Sequence, residues 1–417
     1  MKKRLWKRLW PLFLVPALLT GCWEAPAPDT DPLIPMEEEA QPEDTRLILP
    51  DAFALPYDPE ETLDPITCPD GIQQVVGALL YEGLFQLDTS LEPQPRLCSG
   101  YTYDPTSLLY TFTLRSGVTF SDGTPLTAND VAVTLRRALG STRYGARLAN
   151  VASIGAGDGV VTVALTSSDT GFPALLDIPI VKAGTESSRV PIGTGAYSYT
   201  VDEQGACLTA SSSWWGGSQP VDRIILSPAE DQDAILYQFT SHDVQLITAD
   251  LTGTSPISAS GNVSFQDADT TVFQFVGFNT RRAPFDDPAV RRALGLGIDR
   301  DTVVGAFLSG HGEPAQFPVS PVSSLYPEGA DVVYSYDAFS EAMAAAGLTS
   351  GRTRTVTLLV NAENSFKVSV AEHLAERLSA FDLKLEVQAL PWEEYTAALA
   401  AGDFDLYYGE VRLTANW

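Results

Sequence analysis

The order of patterns in the last third of the chain constrains its fold most. "TVTLLV" (355–360) reads as a strand, residues 364–380 as a helix and "LKLEV" (383–387) as a second strand. "PWEEYTAALAAG" then reads as a helix, and "FDLYYGEV" (404–411) as a third strand. Strand and helix in alternation argue for an α/β lobe with a largely parallel sheet. Upstream, "TTVFQFVGFN" (270–279) adds a strongly apolar strand. "DDPAVRRALGLGI" offers Asp287 as a helix cap and Pro288 at the first helical position. A second helix is capped by Asp299 and closes near Gly310.

The first half mixes the same patterns. "LLYTFTLRSGVTF" (108–120) alternates Tyr110, Phe112 and Leu114 with polar residues and predicts a strand. "SDGTPLT" predicts a turn, and Thr127 with Asp130 three residues later opens a helix that ends at Gly140. "VVTVAL" (160–165) is another strand, and "PIGTGAYSYTV" (191–201) a glycine-rich turn running into one.

The amino terminus says where the chain goes. Five bases among the first eight residues precede the apolar run "WPLFLVPALLT" and then Gly21-Cys22. That is the pattern of a secretory signal, and it is too short for a membrane span, which needs roughly 20 apolar residues. "LLTGC" resembles the lipobox of bacterial lipoproteins, which makes residues 1–21 the signal peptide and Cys22 the lipidated first residue. An ordinary signal peptide with an incidental cysteine is the competing reading. Residues 23–45 carry eight acids, no base and five prolines. Such a segment buries too little apolar surface to order itself, so 22–45 is expected to be an extended tether reaching up to roughly 70 Å.

Charge and cysteines exclude several classes. Without residues 1–21, which hold five bases and no acid, the net charge goes from −27 to −32. Nucleic acid and anionic lipid would repel such a chain. Cys68, Cys98 and Cys207 allow at most one disulfide and form no CxxC pair, and the three histidines (His242, His311 and His373) are far apart, so buried thiols are expected and neither a metal nor a cofactor. No GxSxG or HExxH motif is present, so no enzyme is expected.

Several stretches together carry a family resemblance: "TLDP" (62–65), "LLYEGLFQLD" (79–88), "YTFTLRSGVTFSDGTPLTANDVAVTL" (110–135), "PIGTGAYSY" (191–199) and "WWGGSQPVDRIIL" (214–226). Further on come "FNTRRAPFDDPAVRRALGLGIDRDTVV" (278–304) and "PWEEYTAALAAGDFDL" (391–406). In this order the chain resembles the family 5 extracellular solute-binding proteins, receptors of peptide- and nickel-type ABC importers. The resemblance implies an α/β, two-lobed periplasmic-binding-protein-like fold of the class II type, with a smaller inserted domain. Lobe I would comprise residues 46–70 and 185–270, the inserted domain 71–184, and lobe II 271–417. Family members continue past the point where this sequence stops, so the return segment to lobe I is expected to be missing and lobe II incomplete.

The same resemblance implies function and site. The expected protein is a lipid-anchored, extracytoplasmic monomer that captures an oligopeptide between its lobes and delivers it to ABC permease subunits. A nickel chelate, an oligosaccharide or another solute is the alternative ligand, and a sensing receptor uncoupled from transport the alternative role. The strand before "FN" points to Gln274, Phe275 and Asn279 as ligand contacts, and "PWEEY" to Trp392. The strand after "FDL" points to Tyr408, Glu410 and Arg412, and the loop after "TLDP" to Asp70 and Gly71. Peptide-binding relatives place an aspartate near here for the peptide amine; "GEVRLTANW" has none, and Glu410 is the substitute. Core packing is the competing reading for each residue, above all Trp392 and Phe275. Trp214 and Trp215 read as packing residues, the "GTGAY" glycines as a tight turn, and the acids and arginines around 281–301 as caps and surface ion pairs.

Overall fold

The structure is a computed structural model, and it describes residues 53–254, 263–327, 329–330 and 333–416. The signal sequence, Cys22 and the acidic tether lie outside the described residues. In chain order, β1 (Phe53–Tyr57) leads to α1 (Ile72–Leu80), β2 (Phe85–Leu87), β3 (Pro93–Pro95), β4 (Cys98–Asp104) and β5 (Leu109–Leu114). There follow α2 (Ala128–Leu139), β6 (Val151–Gly157), β7 (Val160–Leu165), β8 (Tyr197–Asp202), β9 (Gly205–Ala210), β10 (Arg223–Pro228) and α3 (Gln232–Thr240). The second half runs β11 (Val272–Phe278), α4 (Pro288–Leu296), α5 (Arg300–Phe307), α6 (Tyr336–Ala345), β12 (Arg354–Asn361), α7 (Ser365–Leu378), β13 (Leu383–Leu390), α8 (Trp392–Ala401) and β14 (Leu406–Arg412).

Three four-stranded sheets organise these elements. The first has the order β1-β10-β9-β8, with β1 parallel to β10 and the other pairs antiparallel. It joins residues on either side of a long excursion, and that excursion builds the second sheet, β4-β5-β7-β6, antiparallel throughout. The third has the order β11-β14-β12-β13, in which β12 is parallel to β13 and β14 while β11 runs antiparallel at the edge. The alternation in the sequence thus does yield a largely parallel sheet.

The crossovers of the third sheet decide which faces are covered. The step from β12 to β13 goes one way, and the step from β13 to β14 returns across β12. Right-handed crossovers therefore put α7 and α8 on opposite faces. Val356, Leu358 and Val360 of β12 pack with Val370, Leu374 and Leu378 of α7 in one core cluster. Thr357 and Leu359 face the other way and share a cavity of about 150 Å³ with Ala398 of α8.

Local chemistry sets the boundaries. Thr127 and Asp130 form the capping box of α2, each side chain bonding the other's backbone N–H. Asp287 caps α4 with Pro288 in its first turn, and Asp299 caps α5, which ends at Phe307, short of Gly310. The strand expected over 108–120 stops at Leu114, and Gly117 turns the chain at φ +78°. Cys68, Cys98 and Cys207 are buried free thiols, and burial pushes the first two above the ordinary thiol range.

One surface contact gives a pH prediction. Lys182 donates to Asp122 in the "SDG" turn, and this hydrogen bond, with that of Thr124, holds Asp122 at about 2 instead of 3.8. A carboxylate lowered on folding stabilises the fold above its unfolded value and loses that contribution as pH falls through the folded one. Acid unfolding of the Asp122→Asn variant should therefore be less steep between about pH 4 and pH 2. A limb identical to that of the parent chain would remove Asp122 from the account.

Candidate functional site

In open α/β sheets, ligands bind beyond the carboxyl ends of the strands. At that end of the third sheet lie the close of β12 at Asn361, the close of β13 before Trp392, the close of β14 at Arg412, and the start of the antiparallel β11 at Val272. Register places Gln274 opposite Glu410 and Val272 opposite Arg412. Directly opposed residues share a face, so Gln274, Glu410 and Arg412 stand on the α7 side, beyond Val276, Tyr408 and Leu406, which pack in or against the core.

Glu410 Oε2 accepts from Gln274 Nε2 and lies 3.0 Å from the ammonium of Lys367 in the first turn of α7. Gln274 Oε1 is buried without a hydrogen-bond partner among the described residues. Arg412 is exposed and makes no ion pair or side-chain hydrogen bond among the described residues. Trp392, 53% exposed, stacks on Tyr395 at a ring separation of 5.8 Å, and its backbone N–H donates to Glu363. About half of the residue is thus open to solvent.

The remaining candidates have other surroundings. Tyr408 is buried in the core, where desolvation, with Glu410 adding to it, pushes its phenol well above the ordinary range. Its carbonyl accepts from Tyr395, whose own hydroxyl burial raises to about 12. Phe275 lies on the opposite face, half-buried, with Phe273 stacked beside it and Tyr407 edge-on. Asn279 sits at the other end of the sheet, where its amide donates to the carbonyls of Gly402 and Phe404. Gly71 is the N-cap of α1, and Asp70 pairs with Arg143 at 2.8 Å. No hydrogen bond or ion pair among the described residues joins Asp70 or Gly71 to the β11–β14 cluster. The structure thus brings together Gln274, Glu410 and Arg412, with Trp392 on the same edge, and leaves the other five elsewhere.

Sequence reasoning missed three residues here. Asn364 is buried and caps α7 through Oδ1, while its Nδ2 donates to Thr252 O at 2.8 Å. Asn416, just past β14, donates to Asp169 at 2.9 Å beside Gly171. These two contacts tie the carboxyl-end edge to the segment after α3 and to the loop after β7. Lys367, in the first turn of α7 and paired with Glu410, is the third. The signal available was position for two of them, since Asn364 and Lys367 open the helix expected after a strand; Asn416 lies four residues past β14 and carried no such signal.

The family motifs that lie away from this edge hold the fold together. Glu82 of "LLYEGLF" is buried and accepts from Arg96, from Thr194 of "GTGAY" and from Trp215 of "WWGG". Arg115 covers the Trp215 ring at 4.1 Å, and Trp215 packs against the core of the second sheet, so it is a packing residue. Asp64 of "TLDP" is buried against Arg137 of α2. Around 281–301, Arg282 pairs with Asp403 and Asp405 while Asp287 and Asp299 serve as caps. The cavity under α8 is lined by Arg282, Gln388 and Asp403, among others, and is smaller than the roughly 300 Å³ at which small-molecule sites begin.

The sequence profile described as "Bacterial extracellular solute-binding proteins, family 5 Middle" matches residues 92–413. A glutathione-binding protein, GsiB of Salmonella paratyphi A, is 26% identical over 346 residues, covering 79% of this chain and 67% of that protein. Among solved structures, the nickel ABC transporter protein of Bacillus halodurans superposes with a TM-score of 0.69 at 19% identity, over 86% of this chain and 78% of that one. The oligopeptide-binding protein AppA of Bacillus subtilis, solved with a nonapeptide, gives 0.56 at 22% identity, over 87% and 80%. At these identities the structures speak for the fold, which is that of periplasmic binding proteins of this family. No helix among the described residues is long and apolar enough to cross a membrane.

Proposed function

The chain belongs to the bacterial extracellular solute-binding proteins of family 5, and on that premise we propose that it is the oligopeptide receptor of an ABC importer. It works outside the cytoplasm as a monomer held to the membrane by lipid on Cys22, with residues 22–45 as tether. Residues 46–70 with 185–270 form lobe I, 71–184 the inserted domain and 271–417 lobe II. Ligand is held at the carboxyl-end edge of the third sheet, and closure follows from a higher affinity of ligand for the closed form.

One observation carries this reading. Gln274, Lys367, Glu410 and Arg412 gather polar and charged groups on the edge from which Asn364 and Asn416 reach the rest of the protein. A peptide supplies the complement, with charged ends and a backbone of alternating donors and acceptors. The relative that binds glutathione and the structure that holds a nonapeptide favour a peptide over a sugar.

Native mass spectrometry of protein expressed in its host without residues 1–22, followed by denaturation, tests the ligand. A set of short peptides is the expected release. A single non-peptide mass would transfer the receptor to that compound. Labelling with a clickable fatty acid tests the anchor, since Cys22→Ala should lose the label entirely.

A further inference from the structure

We propose that Lys367, assisted by Arg412, receives a carboxylate of the ligand, and that Glu410 is the internal counter-ion with which this carboxylate exchanges. The inference rests on the peptide-receptor reading and deepens it, because it gives the ligand's anionic end a seat and removes the amine role from Glu410.

The charges at the edge lead there. Lys367 is in the first turn of a helix of 14 residues, where the aligned peptide dipoles repel a cation. Its side chain is only 17% exposed, so the cost is not fully screened, and Glu410 at 3.0 Å offsets it. Arg412, two positions along β14 and on the same face, brings a second cation without a partner among the described residues. Two cations therefore share one acid, in a chain whose acids outnumber its bases 53 to 26. Of the other acids near this edge, Glu363 accepts from Trp392, Glu393 and Glu394 lie in the first turn of α8, and Asp169 accepts from Asn416.

The hydrogen-bonding inventory fits the same assignment. Glu410 Oε2 already accepts from both Lys367 and Gln274, so a ligand amine would compete with an ammonium fixed to the fold. A ligand carboxylate has no such competitor on Arg412, and on Lys367 it replaces one carboxylate by another while the ammonium keeps further donors free. Gln274 Oε1, buried and unpaired among the described residues, remains to accept an N–H from the adjoining peptide backbone.

Calorimetric titration of the full chain in detergent tests the proposal, with trialanine and trialanine amide as the ligands. The parent chain should bind the free acid at least tenfold more tightly than the amide. Lys367→Met should weaken the acid by tenfold or more and leave the amide within twofold, and Lys367→Arg should recover most of the loss. Glu410→Gln, which removes the internal competitor, should bind the acid severalfold more tightly. Equal affinities of acid and amide for the parent chain would overturn the assignment, as would an equal loss of both in Lys367→Met. Weaker acid binding by Glu410→Gln would return that residue to a direct contact and overturn the exchange. Binding of neither compound would sink the peptide reading itself, and the inference with it.

Discussion

Replacing Glu82 by alanine is expected to cost the protein about 3 kcal/mol, although the residue lies away from the candidate site. Breaking a buried ion pair from one side costs roughly 3–5 kcal/mol, because the partner left behind has lost its compensation. Here Arg96 keeps 31% of its side chain exposed and can return to water, which argues for the lower end. The neutral partners cannot do so as easily. Thr194 is buried, and Trp215, whose Nε1–H donates at 3.0 Å, packs against the second sheet's core. Each would keep an unpaired polar group at about 1–3 kcal/mol. Glu82→Gln keeps an acceptor and should cost less than half as much. The check is urea unfolding followed by tryptophan fluorescence, to which Trp215 contributes as one of seven tryptophans. A loss below about 1 kcal/mol would show that water replaces the carboxylate.

The same residue shows what was legible in the sequence. "LLYEGLF", "GTGAY" and "WWGG" were visible as motifs, yet nothing local says that their polar members meet. Glu82, Thr194 and Trp215 are joined across up to 133 positions, and periodicity reports only on neighbours within a few turns. Helix starts were legible for the opposite reason, since the Thr127–Asp130 box and the Asp287 and Asp299 caps are complete within four residues. The antiparallel run of β11 was not legible, because apolar spacing carries no strand direction. At the site, the family pattern pointed to Gln274, Glu410 and Arg412, which do gather. It also pointed to Asn279, whose amide is spent on the carbonyls of Gly402 and Phe404. Lys367 escaped because its partner is 43 residues away on another element, and a lysine early in a helix reads as solvated surface until that partner is known.

Gly195→Ala is expected to cost about 3 kcal/mol, because the glycine-rich turn brings β8 directly against helix backbone. The chain enters β8 against the last turn of α1, where Gly195 N–H donates to Leu80 O at 2.9 Å. A Cβ on Gly195 would lie 2.4 Å from Leu79 O and 2.4 Å from the Leu80 carbonyl carbon, and one on Gly193 would lie 2.1 Å from Leu80 O. The obstructing atoms are helix backbone and cannot swing aside as a side chain could. Gly195 is not at positive φ, so alanine pays no conformational penalty and contact alone sets the cost. Overpacking typically costs 1–3 kcal/mol, and a clash with backbone belongs at the top of that range. Thr194, between the two glycines, points its hydroxyl into Glu82. The Gly-Thr-Gly unit therefore does two things: it lets β8 approach α1 closely, and it delivers a donor to the buried carboxylate. If that is right, the two substitutions are coupled. Pushing β8 away from α1 already weakens the Thr194–Glu82 bond, so Gly195→Ala combined with Glu82→Ala should cost about 1 kcal/mol less than the sum of the single losses. Strict additivity in that double-mutant cycle would mean that the turn and the carboxylate stabilise the fold independently.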